Sequence, residues 1–566
     1  MASMQKIKSK GINYYSIVES RRINGKPTPV TIAYLGNIDN ILKMFNNNKN
    51  IAGNEELKSY SYGAVYALWE IAKKHHIVKY LNKSLPKQTR NGLSRGESLL
   101  LSAIYRAIYP GSKNEFSDKI SETSLPSIAK FNPEKLTSQH FWSQMDGINE
   151  EMLYDAEDNI AKHVLNHYNI DPGKLALDYT NYFTYIDSDN TKCTIAKRGR
   201  NKQKRGDLRQ SSLGLVTTKE LTIPLCSYVY EGNMTDVTTF PKYLELFKNR
   251  IGNYTDATDI TLIYDNGSVS KKNLLELKCH KPEIHYVCAF SIASCKQLLE
   301  ISCDDYTTQR IYEDKDILCY RTTQDIWGGK KECILIYSQD LYMGQYKSLI
   351  ASIEKKKQKL QKLKEQLRNP KSRISKKSAN IDVRIKKIIS GNFRDNIFDI
   401  KKTGKQIIKD IDFSVDYDVV KTLCYKHYGK RLIITDQFSW TTKEILEAYW
   451  DQNNIESIFK DTKNRHHFSV KPQFHWTDSK VRVHTFCCLL GLLLTSLLRK
   501  ELDDAGVKIE NKKIIDVLSG IREVYVLSPD KKAKNGFGVQ KKLEKMSPIQ
   551  KKIWDALDEN VFGNKK

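Results

Sequence analysis

The sequence lacks paired cysteines. Its eleven cysteines are scattered, and no two of them form a Cys-x-x-Cys pair. This argues against a zinc knuckle and a disulfide framework, so we expect reduced thiols in a cytosolic protein. Cys279, His280, His285 and Cys288 lie close enough along the chain to be considered as a metal site. Their spacing fits no common zinc pattern, and the last two fall on a predicted strand, which disfavours that interpretation.

Segments that would direct the chain into a membrane are also missing. The N-terminus, MASMQKIKSKG, has no apolar core of the kind found in signal peptides. The longest apolar run is residues 485–498, with basic residues on both sides. A run of this length is short for a membrane span and is typical of a buried helix. The sequence therefore predicts a cytoplasmic protein without a membrane partner.

Acidic residues are fewer than basic residues. Lys and Arg number 92 against 66 Asp and Glu, which gives a formal charge of +26. Such an excess is self-repulsive unless a polyanion offsets it. Nucleic acid is the leading candidate partner, and an anionic membrane surface is the alternative. Simple solubility or a lysine-rich coding bias would explain the charge without any partner.

The chain is long enough for several domains. It has 566 residues, 40% of them hydrophobic and 10% aromatic, a composition that supports real cores. Changes of pattern predict six regions: a β-hairpin and linker (1–59), a helical region (60–165), a first strand-rich segment (170–296), an interruption (297–430), a second such segment (431–505) and a basic C-terminal region (506–566).

Three of these regions allow more specific predictions. Basic and aromatic residues mix in the helical region, which favours either a DNA-binding domain or a helical packing domain without a ligand. The interruption contains a basic helix at about 341–367 whose apolar spacing would allow a short coiled-coil-like arm. From residue 174, three predicted strands are followed by alternating helices and strands, which predicts a mixed sheet with helices on its faces.

One stretch, Tyr449 to Lys463, predicts a single amphipathic helix. At about 100° per residue, Tyr449, Gln452, Glu456 and Lys463 fall within a sector of roughly 60°, with Lys460 at its flank. The other side of the helix is apolar and can dock on a core. Taken alone, such a polar face is most often simply solvated.

Three acids gain meaning from their positions. Asp178 lies in the first predicted strand of the sheet, and Asp265 ends a later one, where open α/β sheets place their sites. Glu456 lies on the polar face of the helix just described. If these residues meet, they form a carboxylate cluster suited to two Mg²⁺ ions, which could activate a nucleophile and stabilise the leaving oxygen of a phosphodiester. Singly, each acid is more often a turn residue or a surface charge.

The segments around these acids resemble a known family. Tyr449-x2-Gln452-x3-Glu456-x6-Lys463 resembles the Tyr-x2-Arg-x3-Glu-x6-Lys signature of DDE transposases from bacterial insertion sequences. In the same order along the chain, LDYTNYF, EGNMTD, YDNGS, RLIITD and VKPQFHWTDSKVRVHTF are similar to other segments of that family. The N-terminal YYSIVESRRINGKPTPVTIAYLGNID resembles the start of one subgroup. The resemblance covers most of the chain, and the Glu-helix signature is its most specific part.

The resemblance implies an α/β fold with a ribonuclease H-like mixed-sheet catalytic core, interrupted by a β-rich insertion and preceded by a β-hairpin and a helical domain. It implies cut-and-paste DNA transposition, with Asp178, Asp265 and Glu456 as catalytic metal ligands for two Mg²⁺ ions, which Mn²⁺ would replace. The implied partners are double-stranded DNA with terminal inverted repeats, target DNA and a second copy of the chain, as a homodimer on DNA in the bacterial cytoplasm and nucleoid.

The same comparison assigns DNA contacts and exposes one departure. Tyr449 and Lys463 are expected to hold DNA near the break by stacking and by phosphate contact. Gln452 stands where the signature has an Arg, whose charged fork would grip a phosphate; Gln can only hydrogen-bond. Lys460, one turn before Lys463, is a partial substitute. Trp440 and Trp476 are candidates to steady a flipped base, although core packing is the commoner role for such residues.

Two rival interpretations stay open. One is a domesticated, catalytically inactive DNA-binding protein, which the three intact acids disfavour because a binding protein does not need them. The other is a ribonuclease H-like nuclease that cuts without joining. Transfer of a labelled DNA end in the presence of Mg²⁺ distinguishes all three.

Overall fold

The computed structural model describes residues 2–9, 12–23, 26–39, 56–201, 205–219, 222–257, 259–278, 283–312, 315–391, 397–463, 468–471, 473–529 and 537–563. Cys279 and His280, half of the metal group considered above, lie outside these residues. The strands are β1 (Ala2–Ser9), β2 (Ile12–Ile23), β3 (Lys26–Asn37), β4 (Glu56–Ser61), β5 (Thr89–Arg90), β6 (Leu93–Ser94), β7 (Lys174–Thr184), β8 (Lys197–Arg198), β9 (Arg209–Thr218), β10 (Pro224–Glu231), β11 (Ile260–Tyr264), β12 (Ile284–Phe290), β13 (Thr307–Tyr312), β14 (Lys315–Asp325), β15 (Lys330–Tyr337), β16 (Phe398–Thr403), β17 (Asp410–Val415), β18 (Lys430–Thr435), β19 (Arg522–Pro529) and β20 (Phe537–Leu543).

The α-helices are α1 (Gly63–Lys74), α2 (Ile77–Ser84), α3 (Arg95–Ile108), α4 (Phe116–Ser121), α5 (Leu125–Ile128), α6 (Ser138–Gln144), α7 (Glu150–Tyr168), α8 (Asp236–Tyr254), α9 (Lys271–Lys278), α10 (Gln339–Arg368), α11 (Ser378–Ile389), α12 (Tyr417–His427), α13 (Thr442–Asp451), α14 (Asn453–Asp461), α15 (Asp478–Asp504), α16 (Asn511–Ser519) and α17 (Pro548–Leu557). Short 3-10 helices include Lys113–Glu115 and Asn266–Ser268, and a π-helix spans Asp558–Phe562.

The N-terminal strands form the predicted hairpin and add to it. β2 and β3 pair antiparallel, and β1 joins them to make a three-stranded sheet. Residues 56–59, expected to belong to a linker, instead lie in β4, which pairs antiparallel with β19 near the C-terminus. The partner of β4 is more than 450 residues away, so no local pattern in the sequence could reveal this pairing.

The helical region surrounds the long helix α15. A capping box begins α3: the Ser94 amide donates to the Glu97 carboxylate at 2.7 Å, and the Glu97 amide donates to Ser94 Oγ at 3.3 Å. α15 is long and apolar enough to cross a membrane, but 94% of its apolar window is buried inside the protein. Gly491 lets it approach α3 closely, since a Cβ there would lie 2.6 Å from the Ala103 carbonyl oxygen. The apolar run is therefore a core helix, as its length predicted.

A mixed sheet forms the centre of the fold, as the strand order predicted. Its strands lie in the order β10-β9-β7-β11-β12-β18-β15-β14-β13, with β8 paired to β9. β7, β11 and β12 run parallel, and their other neighbours are antiparallel. β13, β14 and β15 come from the segment expected to be an insertion, yet they extend this sheet through the β15–β18 pairing. The sheet is therefore wider than the sequence indicated.

The remainder of that segment, residues 339–428, forms a unit with a small core of its own. The predicted basic helix is present as α10, and its apolar residues Ile353, Leu360, Leu363 and Leu367 are buried in this core. They pack with residues of α11 and of the β16–β17 hairpin, so α10 is not a free coiled-coil-like arm. Apart from that hairpin the unit is helical, so most strands of the predicted insertion (297–430) are the three that extend the central sheet.

Candidate active site

Two of the three predicted acids lie side by side at the centre of the sheet. β7 and β11 are parallel neighbours, and Tyr264 is the register partner of Leu177. Asp178 and Asp265 are the next residues on the two strands, and neighbouring strands are about 4.8 Å apart. Both acids line the same cleft, which has a volume of about 880 Å³. The sheet register therefore brings these two carboxylates together at one level.

Local backbone geometry fixes the direction of both side chains. Asp178 Oδ1 accepts a hydrogen bond from the Tyr179 amide at 2.7 Å, and Asp265 Oδ1 accepts one from the Asn266 amide at 2.8 Å. β11 ends at Tyr264, and Asp265 caps the short 3-10 helix that follows. β7 continues past Asp178 while pairing with β9. The end of β11 thus opens the space into which the cleft extends.

A third carboxylate lies at this cleft and was not predicted as a site residue. Asp236 is the first residue of α8, it is exposed, and it lines the cleft. A Cβ placed on Gly267 would lie 3.1 Å from Asp236 Oδ2, so this carboxylate borders the segment that follows Asp265. The sequence contained a signal for Asp236, because this acid follows the Gly-Asn turn of EGNMTD and begins a helix. The segment by itself indicated only a turn.

Cationic and aromatic side chains complete the cleft. Its lining includes the basic residues Arg200 and Lys463 and the aromatic residues Tyr179 and Tyr230. Burial raises the pKa of Tyr179 well above its usual range, and the neighbouring Tyr230 and Asp236 add to this effect. The phenol therefore stays neutral and can act only as a hydrogen-bonding or stacking group. Carboxylates within a cleft that also carries cations suit a phosphate-containing ligand together with divalent cations.

The helix predicted from Tyr449 to Lys463 is not continuous. α13 ends at Asp451 and α14 begins at Asn453, with Gln452 between them at φ −57° and ψ −28°. α14 ends at Asp461, so Lys463 follows the helix rather than lying on its face. The expectation of a single helix is therefore wrong. The run Gln-Asn-Asn explains the break, since Asn competes for backbone hydrogen bonds and favours helix ends.

The break divides the predicted polar face into a buried part and an exposed part. Tyr449 and Gln452 are each only 8% exposed, and Tyr449 packs within a core cluster beneath the sheet. Burial raises the pKa of Tyr449, Arg431 opposes this shift, and the Asp265 carboxylate raises the pKa further. Tyr449 therefore lies within electrostatic range of the second acid. Lys460 is exposed and Lys463 is partly exposed, as DNA contacts would be.

Glu456 lies on the neighbouring helix and is exposed to solvent. It is not among the described residues that line the cleft. α14 docks on β7, the strand of Asp178, through the hydroxyls of Tyr182 and Thr462, which are 2.8 Å apart. The Lys463 ammonium lies 5.9 Å from the centre of the Tyr182 ring. The structure thus brings Asp178, Asp265 and Lys463 to one cleft. It places Glu456 on the exposed surface of a helix that contacts the strand of Asp178.

The two tryptophans considered for base contact differ in exposure. Trp440 is partly buried and packs against the core cluster that contains Tyr449, with the Lys174 ammonium 4.6 Å from its ring centre. Trp476 is 42% exposed, and its ring centre lies 5.6 Å from that of Trp142. Of the two, Trp476 is the one whose ring faces solvent.

Two comparisons with known proteins gave matches. Residues 3–59 match the model of the IS1634 family transposase, N-terminal domain. This match supports an insertion-sequence transposase, and it lies outside the segments that carry the three acids. A solved structure, the cryo-EM structure of a piggyBac transposase synaptic complex with hairpin DNA, is similar to this chain at 9% identity and a TM-score of 0.37, over 81% of this chain and 79% of that one. No curated protein matches the chain significantly.

Proposed function

We propose that this protein is an insertion-sequence transposase of the DDE type, which cuts DNA at the ends of its element and transfers the ends to new DNA. The observation that carries the proposal is the placement of Asp178 and Asp265 at the same level of adjacent parallel strands, in one cleft with Lys463. The match of residues 3–59 to the N-terminal domain of an insertion-sequence transposase family supports it independently. On this proposal, the central sheet is a ribonuclease H-like catalytic core.

The donor set of the cleft fits a hard divalent cation. Asp178, Asp265 and Asp236 offer only carboxylate oxygens, the ligands that Mg²⁺ and Mn²⁺ prefer, and the cleft is wide enough for phosphate oxygens and water to join them. We assign two Mg²⁺ ions to these residues together with Glu456. When bound, Mg²⁺ supplies Lewis-acid activation of the attacking water or 3′-hydroxyl and neutralises charge at the phosphate.

The side chains of the protein then have separate tasks. Lys463 and Arg200 bind the phosphates on either side of the reacting bond. Their positive charges offset the negative charge of these phosphates, which the carboxylates of the cleft would repel. Tyr182 and Thr462 hold α14 against β7. On this proposal, Glu456 reaches the cleft from α14 and completes the carboxylate set. Lys460, exposed on the same helix, contacts DNA nearby.

The proposed partners follow from this activity. They are double-stranded DNA with terminal inverted repeats, target DNA and a second copy of the chain, since paired cutting of two ends requires two active sites. The formal charge of +26 supports a polyanionic ligand of this size. The reaction takes place in the cytoplasm, on the bacterial nucleoid.

A DNA-end assay tests the proposal. Labelled duplexes that carry the inverted repeats flanking the gene are incubated with the protein, Mg²⁺ and a target plasmid. We expect new 3′-hydroxyl ends at the repeat boundary, followed by labelled joint products. Cleaved ends without joint products would indicate a nuclease, and binding without cleavage would indicate an inactive DNA-binding protein. Glu456→Gln should abolish both steps, whereas Glu447→Gln on α13 serves as the matched control and should leave them intact.

A further inference from the structure

Three histidines meet at the junction of helices α1 and α7, away from the cleft. His75 is the residue that ends α1, and His163 and His167 are one turn apart on α7. One ring nitrogen from each residue lies within 4.8 Å of the others. The ring centres are 4.8 Å apart for His75 and His167, 5.4 Å for His75 and His163, and 5.8 Å for His163 and His167.

The hydrogen bonds around His75 determine which of its nitrogens is available. Its Nε2 lies 2.8 Å from the hydroxyl of Tyr168, and that hydroxyl donates its single proton to the Glu501 carboxylate at 2.5 Å. Tyr168 must therefore accept from His75, so the proton of the neutral ring is on Nε2. The Lys74 ammonium also contacts Glu501 Oε1 at 2.5 Å. His75 Nδ1 is left with a lone pair, the form in which imidazole binds a metal.

Two ring nitrogens of this group are unsatisfied in the part of the chain that the structure describes. His75 Nδ1 and His163 Nε2 are both buried and lack a hydrogen-bond partner among those residues. A buried polar atom without a partner costs free energy, so such atoms generally mark a bound water, an ion or a ligand. Two such atoms belong to this group of three histidines, and the third imidazole, His167, is exposed.

We propose that His75, His163 and His167 form a binding site for a transition-metal ion, with Zn²⁺ as its natural occupant. Three imidazole ligands with no carboxylate among them suit a borderline-soft ion rather than Mg²⁺. The spacing of His163 and His167 places both rings on one face of α7. The Tyr168 hydroxyl bonds to His75 Nε2 and donates to Glu501. It supplies the outer-shell partner that metal-binding histidines usually have.

The site joins α1 to α7, two helices that lie far apart along the sequence. Tetrahedral zinc with bonds of about 2.0–2.1 Å holds its ligand nitrogens about 3.3 Å apart, so binding draws the three rings closer by side-chain rotation. The ion then ties the end of α1 to the last turn of α7, and α7 leads directly into β7, the strand of Asp178. The site is structural: its nitrogen donors are separate from the oxygen donors of the cleft.

The test is metal binding by the full-length, tag-free protein after removal of metals with a chelator. Zn²⁺ is titrated in excess Mg²⁺, which occupies the carboxylate cleft, and binding is followed by calorimetry and by the rise in Tm. Co²⁺ is used in parallel, because its visible absorption reports nitrogen ligation. We expect one Zn²⁺ per chain and a higher Tm with the metal present. His167→Ala and His163→Ala should each weaken binding at least about tenfold and remove the Tm increase.

Controls keep this test decisive. His167 is exposed, so its replacement leaves the fold intact, and the melting temperature of the metal-free variant verifies this. His427 lies in the separate unit formed by residues 339–428, so His427→Ala is the matched control. It should bind Zn²⁺ like the unmodified chain. Tyr168→Phe should weaken binding less than either ligand replacement. Unchanged zinc stoichiometry and affinity in the His163→Ala/His167→Ala double variant would overturn the proposal, as would failure of the unmodified chain to bind Zn²⁺ in excess Mg²⁺.

Discussion

The hydroxyl of Tyr182 on β7 lies 2.8 Å from Oγ1 of Thr462, the residue that ends helix α14. Thr462 donates its own proton to the Phe459 carbonyl oxygen at 3.2 Å, so Tyr182 is the donor in this pair. Both side chains are almost fully buried. Because Asp178 is on the same strand and Glu456 is on the same helix, this hydrogen bond links the supports of two proposed metal ligands.

Removing that link should disturb catalysis more than stability. Tyr182→Phe and Thr462→Val should each lower the free energy of unfolding by about 1 kcal/mol, and the double variant should cost less than the sum. The rate of Mg²⁺-dependent strand cleavage should fall at least about tenfold, since misplaced catalytic groups lose orientation. Denaturant melts and single-turnover kinetics measure the two effects. Tyr185→Phe, at an exposed tyrosine nearby, is the control; equal loss of rate there would refute the coupling.

Asp236 should contribute to metal binding. We expect Asp236→Asn to raise the Mg²⁺ concentration needed for half-maximal cleavage about tenfold or more, because the cleft loses one carboxylate oxygen donor. The substitution also removes an acid from the first turn of α8, which should cost only about 0.3–1 kcal/mol of stability. Asp256→Asn, just beyond the other end of α8, is the matched control. An unchanged Mg²⁺ dependence in Asp236→Asn would show that this carboxylate only caps its helix.

Replacing Gln452 by the arginine of the family signature should not restore a phosphate contact. Gln452 is only 8% exposed, so the arginine side chain would have to bury its charge or push aside the junction of α13 and α14. Gln452→Arg should therefore lower the free energy of unfolding by about 1–3 kcal/mol, with no gain in DNA affinity. The salt dependence of DNA binding is the decisive measurement. A slope steeper by about one unit would mean that this position faces a phosphate after all.

Acid should destabilise the helical region through His140. This ring is 1% exposed, Asn91 donates to its Nδ1 at 3.1 Å, and its Nε2 lies 3.0 Å from Ser98 Oγ. Burial lowers the pKa of His140 to about 4, and Arg90 adds to the effect. The unfolded chain therefore binds a proton near pH 6.5 that the folded chain refuses, so stability falls as the pH drops from 6.5 to 4.

The size of that loss is measurable by comparison. Over the full interval, His140 should account for about 3 kcal/mol of the lost free energy of unfolding, which His140→Gln should abolish. Urea melts of both proteins between about pH 4 and pH 7 give the difference. Parallel pH dependences for the two proteins would contradict the assignment of a neutral, buried His140.

The sequence predicted the strands of the central sheet well, because their signals are local. Asp178 and Asp265 follow apolar β-branched or leucine-rich runs, and the register of two neighbouring parallel strands brings the residues after these runs to the same level. The pairing of β4 with β19 and the addition of β13–β15 to the sheet depend on contacts between distant segments. Such contacts leave no trace in the periodicity of either segment.

The site itself was only partly predictable, because burial depends on the same distant contacts. Arg106 is one of the basic residues of the helical region, yet it is buried and donates to the backbone carbonyl oxygens of Gly111 and Lys471. Helical spacing placed Tyr449 and Glu456 on one face, but the turn at Gln452 sends one inward and leaves the other exposed. Charge and spacing do not specify which side of an element the core will cover.

The central claim is that Asp178, Asp265 and Glu456 share metal ions in the reaction. The most direct measurement replaces each in turn by cysteine and compares strand cleavage in Mg²⁺ with that in Mn²⁺. A thiolate is a poor ligand for Mg²⁺ and a better one for the softer Mn²⁺. We predict that all three variants bind DNA, fail to cleave it in Mg²⁺ and regain cleavage in Mn²⁺. Full Mg²⁺-dependent cleavage by Glu456→Cys, or no Mn²⁺ rescue of Glu456→Cys while the two aspartate variants are rescued, would contradict the account.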